Sequence, residues 1–281
     1  MKQWLDFKKK RDLGEVIRDT FRFLGQEFRP LGTVIIYYAL PFILISAISI
    51  MLFFERFRPF FTNPEAIVPS GFMKDILMFY LFMIVIFAVS KVMFISTVNN
   101  YIALYVEKGK GNFNAADVSH RISSTFWQML FTGILVGLMT FFGVLFCILP
   151  GIYLAISLSM IYIALAYEKK GFGDALSRTF ELSSMQWWWT FLLLLVIEVI
   201  MFIVILIPYF IFFSLNFTSL ISMGPAPDPE KLAGFMKNYS VLGAISMVIS
   251  SLLQVLVYVS MAFQYFNLVA VRERESNDLL R

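Results

Sequence analysis

One cysteine, one histidine and a charged fraction of 15% leave this 281-residue chain little material for polar chemistry. The lone Cys147 has no partner for an internal disulfide, and with His120 as the sole imidazole no Cys/His zinc cluster can be assembled. Ordinary soluble domains carry about 25% charged and about 45–50% apolar residues; here the hydrophobic share is 59%. The chain holds no Gly-rich phosphate loop, no His-Glu-x-x-His pair, no G-x-S-x-G elbow and no dinucleotide fingerprint after a strand. A disulfide scaffold, a disordered chain and a nucleic-acid module are thereby excluded. The expectation is a non-enzymatic protein with no metal and no cofactor.

Apolar length is what the chain has in excess: 32 phenylalanines and a mean hydropathy of +0.77. Six runs stand out, at Gly32–Phe54, Lys74–Val106, Phe126–Leu149, Ile152–Tyr167, Trp187–Ser214 and Val241–Val271. At about 1.5 Å per residue each approaches or exceeds the roughly 30 Å of a hydrocarbon core, the fourth being short and the second and sixth long. Runs of this length exclude an outer-membrane barrel, whose strands alternate over about 10 residues. The fold class expected is all-α, a polytopic six-transmembrane-helix bundle forming a single integral membrane domain over 1–281. Residues 122–167 contain no charged side chain, and Pro150-Gly151 is read as the hairpin turn between the third and fourth spans. The basic start lacks the short apolar core and cleavage site of a signal peptide, so the first span is expected to be retained.

Charge orients these spans. Six crossings put both termini on one side with the 107–125 and 168–186 segments, and 17 of the 23 Lys and Arg residues fall there. The positive-inside bias predicts that this side is the cytoplasm of a bacterial cell, the protein being multi-pass in the inner membrane. All five tryptophans lie on the same side, at the depth where amphipathic rings anchor.

The chain also repeats itself. Tyr101-Ile102-Ala103-Leu104 with Glu107, Tyr162-Ile163-Ala164-Leu165 with Glu168, and Tyr265-Phe266-Asn267-Leu268 with Glu273 close the even-numbered spans alike. Gly14–Phe21 resembles Gly173–Phe180. The pattern predicts three units, 12–110, 111–170 and 171–275, each a cytoplasmic-side amphipathic helix followed by two spans about an axis along the membrane normal. In Asp12–Arg29 the residues Leu13, Val16, Ile17, Phe21, Leu24 and Phe28 recur at helical spacing, as in a helix lying in the interface.

Two charges fall within the apolar runs. Lys91 lies ten residues before Tyr101 and Glu198 eleven after Trp187, so both are expected near the midplane as an intramembrane pair. A lone charge there costs at least about 2.5–3.5 kcal/mol, which makes such residues candidates by default. The pair suits either a bond that fixes helix register or the lining of an ion or substrate pathway. Asn99, Asn100, Gln254 and Asn267 are expected to make interhelical hydrogen bonds, and Gly133-x-x-x-Gly137 to let two helices pack closely.

Leu149-Pro150-Gly151-Ile152-Tyr153-Leu154, then Glu168, Ala175–Leu182 and Trp187-Trp188, resembles the YciC-like uncharacterised bacterial inner-membrane proteins. It is similar as well to the membrane domain attached to some glycerophosphoryl diester phosphodiesterases. Thr179 departs from the serine usual in those relatives, and the clear likeness covers about residues 145–195. Hydrolysis in the relatives belongs to a separate soluble domain, so the resemblance implies a membrane protein without phosphodiesterase activity. The function expected is that of a scaffold or envelope-assembly partner in contact with membrane lipids and with another membrane protein or a second copy, with no nucleic acid. A small transporter or channel using Lys91 and Glu198 is the alternative.

Overall fold

The computed structural model describes residues 4–62, 71–223 and 228–279. Among them are ten helices and no strand: α1 (Leu13–Tyr38), α2 (Leu40–Thr62), α3 (Phe72–Lys108), α4 (Ala115–Phe146), α5 (Ile148–Ser157), α6 (Ile161–Glu168), α7 (Phe172–Met185), α8 (Trp187–Met223), α9 (Pro229–Leu253) and α10 (Val255–Leu279). Among the described residues five helical stretches are long and apolar enough to cross a membrane, and six if the broken pair Leu13–Tyr38 and Leu40–Arg56 makes one span. The chain is an all-α, multi-pass membrane protein. Long rows of exposed Leu, Ile and Phe on α3, α4 and α8 suit a hydrocarbon solvent, which removes the usual drive to bury them.

Helix starts are written locally. Asp12 and Glu15 form a reciprocal capping box at α1, and Asn114 and Asp117 form another at α4. Each satisfies two of the amide groups that a first turn leaves unpaired. Only α7 is a separate amphipathic helix, because the chain breaks at Gln186 before Trp187; α1 and α4 run on unbroken into apolar sequence.

Several boundaries differ from the sequence reading. The first span is interrupted at Ala39, two residues ahead of Pro41, whose ring nitrogen has no hydrogen to donate to the preceding turn. The hairpin reversal sits at Cys147, whose backbone is extended, not at Pro150-Gly151. Pro150 is in the first turn of α5, where a missing amide hydrogen costs nothing. Gly151 serves close packing instead: a Cβ there would come within 2.6 Å of the Val144 backbone nitrogen. The fourth span breaks over Leu158–Met160 and the sixth at Gln254. Gly133 makes ordinary contact and Gly137 has open space around it, so the tight approach belongs to Gly143 and Gly151. Helix α2 runs to Thr62 and α9 begins at Pro229; residues 63–70 and 224–227 lie outside the described residues.

The chain groups into two compact units. The first comprises Met1–Leu40, Val92–Glu198 and Gln254–Arg281. Helix α1 buries Val16, Thr20, Phe23, Glu27, Leu31 and Val34 along one stripe in it, leaving Phe21 and Phe28 exposed. An extended strap before α1 inserts Phe7, whose ring stacks on Phe263 at 4.0 Å between centroids and meets Phe23, Tyr105 and Phe266 edge-on. The second unit comprises Pro41–Lys91 and Val199–Leu253. Rings of Phe53, Phe54, Phe212, Phe235 and Tyr239 cluster in it, and Arg56 pairs with Asp75 at 3.2 Å.

Candidate functional site

The charged groups of the first unit gather around helix ends. Glu27, 2% exposed, accepts a hydrogen bond from the Tyr101 hydroxyl on Oε2 at 2.6 Å. Its Oε1 has no aligned hydrogen bond and is met by the Lys110 ammonium at 2.6 Å. Lys110 stands between Gly109 at φ 85° and Gly111 at φ 77°, a backbone that non-glycine residues rarely adopt, so this tight turn depends on both glycines.

A second carboxylate is held by the same residue types. Glu168 Oε1 accepts from the Tyr265 hydroxyl and from Arg178 Nε at 3.2 Å, and Lys170 lies 3.2 Å from Oε2. Burial works against the Arg178 charge, but the Glu168 carboxylate outweighs it and holds the guanidinium above its ordinary pKa. Glu181, on the same α7, pairs with Arg272, whose hydrogen bond holds that carboxyl below its ordinary value. Glu107 takes two contacts from Arg121 Nη2, at 2.7 and 2.9 Å, with Lys169 at 3.5 Å.

The strap reaches the second buried acid, Asp19 of α1. Arg11 Nε bonds Asp19 Oδ2 at 2.9 Å, its Nη1 donates to the Phe7 carbonyl, and its guanidinium lies 4.8 Å from the Phe263 ring. The Arg11 amide donates to Asn267 Oδ1 at 2.7 Å, Asn267 Nδ2 to Gln264 Oε1 at 3.3 Å, and Gln264 Nε2 to Thr190 Oγ1 at 3.1 Å. This line of bonds joins the strap, α10 and α8.

Two recesses open among these groups. A groove of about 320 Å³ has Pro30, Val34 and Phe113 in its walls together with Glu27, Tyr101 and Lys110. A wider recess of about 490 Å³ borders Glu107, Asp117, His120, Arg121 and Lys169. Among the described residues no three His, Cys, Asp or Glu side chains group as a metal site.

Of the residues singled out from the sequence, the Lys91 and Glu198 side chains are both exposed. Asn99 bonds back to the Ile95 carbonyl of its own helix, while Asn100 reaches Ser96 and, across to α4, Thr125 at 2.9 Å. Gln254, at the break before α10, accepts from the Tyr258 hydroxyl at 3.4 Å. Cys147 is exposed. Sequence reasoning missed Glu27 and the strap, and marked Tyr101 only as a repeat-motif residue at the span boundary. An acid on an amphipathic helix reads as a solvated face, and Phe7 is hidden in a basic run. The one available signal was Phe7 itself, apolar among lysines.

No family model, no curated protein and no solved structure matches this chain.

Proposed function

We propose that the chain is a non-enzymatic protein of the bacterial inner membrane with both termini cytoplasmic, working as a scaffold or envelope-assembly partner in contact with lipid. The observation that carries this reading is how its buried charges are used. Among the described residues the buried charged side chains are Arg11, Asp19 and Glu27, and each ties one segment to another: Arg11 to Asp19, Glu27 to Tyr101 and Lys110. Charges committed to such bonds are costly to release and suit a fixed framework. The likeness of 145–195 to YciC-like proteins supports the inner-membrane placement, and the basic and tryptophan bias supports the orientation.

A threefold repeat belongs to the same proposal. Asp12, Asn114 and Gly171 occupy the caps of α1, α4 and α7, with Glu15, Asp117 and Asp174 three residues on. Val16, Val118 and Ala175 are buried in register, as are Thr20, Ile122 and Thr179 one turn later. Equivalent units 12–110, 111–170 and 171–275 account for this register.

The test is extraction from native membranes in mild detergent, with mass spectrometry of what co-purifies. A stoichiometric membrane protein or second copy is expected. Single cysteines at Asp117 and Asp174 should be shielded from an impermeant thiol reagent in intact cells and one at Asp228 labelled; the reverse pattern would overturn the orientation.

The transporter reading has one observation in its favour: α5/α6 and α9/α10 are discontinuous helices, and the buried Ser157 hydroxyl beside the first break has no partner. Solute flux in proteoliposomes that Lys91→Met or Glu198→Gln abolishes would favour it over the scaffold.

A further inference from the structure

The groove beside Glu27 has the chemistry of a receptor for one kind of headgroup. Its walls are mostly apolar, yet a carboxylate that is almost wholly buried stands in it. That carboxylate is neutralised by an ammonium from a side chain on a two-glycine turn, with 36% of the Lys110 side chain exposed. Tyr101 fixes the other carboxylate oxygen, so Oε1 is oriented toward whatever cation occupies the Lys110 position. A volume of about 320 Å³ lies at the small end of ligand sites, roughly 300–1,000 Å³.

We infer that this groove binds the headgroup of an ethanolamine phospholipid, Lys110 acting as a resident stand-in for the lipid's ammonium. On binding, the lipid ammonium takes the place of Lys110 Nζ at Glu27 Oε1, and Lys110 turns to pair the phosphate on the same short ethanolamine arm. Both charges of the zwitterion are then matched and neither protein charge is left without a partner. A primary ammonium donates hydrogen bonds to Glu27 that a choline headgroup cannot. An anionic glycerol headgroup offers no cation at all. Pro30, Val34 and Phe113 supply apolar surface for the adjoining glycerol and upper acyl chain. The inference rests on the lipid-contacting reading above and specifies which lipid and where.

The experiment is lipid retention by the full chain in maltoside detergent, read by native mass spectrometry and thermal shift, with dioleoyl phosphatidylethanolamine, phosphatidylcholine and phosphatidylglycerol each added alone. The ethanolamine lipid should be retained about tenfold better than the other two, the scale of one charge-assisted hydrogen bond. Glu27→Gln should erase the preference and Lys110→Ala should weaken retention of the ethanolamine lipid. Thr33→Trp fills the groove from the exposed side of α1 without touching the charges, and should lower retention with helix content unchanged. If Glu27→Gln fails to fold, Thr33→Trp decides. Equal retention of all three lipids, or a preference that survives Thr33→Trp, would overturn the inference. Soluble O-phosphoethanolamine protecting as well as the lipid would overturn the lipid as its ligand. Loss of the preference leaves the scaffold reading standing, whereas an inverted cysteine-labelling pattern strikes that reading without altering binding in detergent.

Discussion

Tyr101 and Glu27, 74 residues apart in the chain, share a 2.6 Å hydrogen bond that closes the end of α3 onto α1. The carboxylate is almost wholly buried, so its stability depends on that hydroxyl and on Lys110. Removing either donor leaves a buried acceptor less satisfied, at about 1–3 kcal/mol each. Tyr101→Phe and Lys110→Ala should both lower the melting temperature in lipid-free detergent. Their combination should be non-additive, because they serve the same carboxylate. Additive losses would show that the two donors act on separate features.

The strap offers a sharper contrast. Phe7 is 1% exposed within a cage of four rings, whereas Trp4, three residues earlier, is 46% exposed. Emptying a well-packed aromatic site costs about 3–5 kcal/mol, so Phe7→Ala should destabilise strongly and Trp4→Ala far less. Arg11→Ala should rank with Phe7→Ala, since it strips Asp19 of its partner. Proteolysis of the N-terminus under native conditions measures the difference. Equal cleavage of wild type and Phe7→Ala would count against a docked strap.

Glycine substitutions separate the two candidate packing sites. At Gly151 a methyl group meets backbone atoms of Val144, which cannot swing aside, so Gly151→Ala should impair folding of the α4–α5 hairpin. Gly137→Ala meets open space and should be neutral or stabilising by about 0.5–1 kcal/mol, as for alanine within a helix. Expression level and melting temperature read both. Destabilisation by Gly137→Ala would restore the Gly133/Gly137 motif as the helix contact.

The Glu181–Arg272 pair carries a pH signature. Arg272 lowers the folded-state pKa of Glu181 below its unfolded value. The stabilising contribution is therefore full above the ordinary carboxylate range and is lost as pH falls through the lowered value. Wild type should lose stability more steeply than Glu181→Gln over that acid interval and match its slope at neutral pH. Identical slopes throughout would show that the pair contributes nothing.

Much of the architecture was readable because it depends on local or compositional facts. Apolar runs are long enough to announce themselves, whereas the capping boxes at Asp12 and Asn114 went unread. Errors arose where one residue type has two physical uses. Pro150 ends a helix in one setting and begins one in another, and only the extended backbone at Cys147 decides between them. Among the described residues the enclosed charges are Arg11, Asp19 and Glu27, in segments whose ordinary polarity concealed them, whereas Lys91 and Glu198 are legible as charges within apolar runs. Glu27 is a site through Tyr101 and Lys110, and no spacing rule within α1 points to either.

The bond from the Arg11 amide to Asn267 spans 256 residues, which sets a schedule for biosynthesis. At about 5–20 residues per second, roughly 13–50 s separate the emergence of the two partners from the ribosome. Throughout that interval Phe7 has no α10 to pack on, and the nascent chain must be inserted with that ring undocked. A transcript truncated before Val255 would yield a polypeptide that never closes, its leading segment left as a standing signal to quality-control proteases. The strap thus reports, at the moment it docks, that α10 has been made.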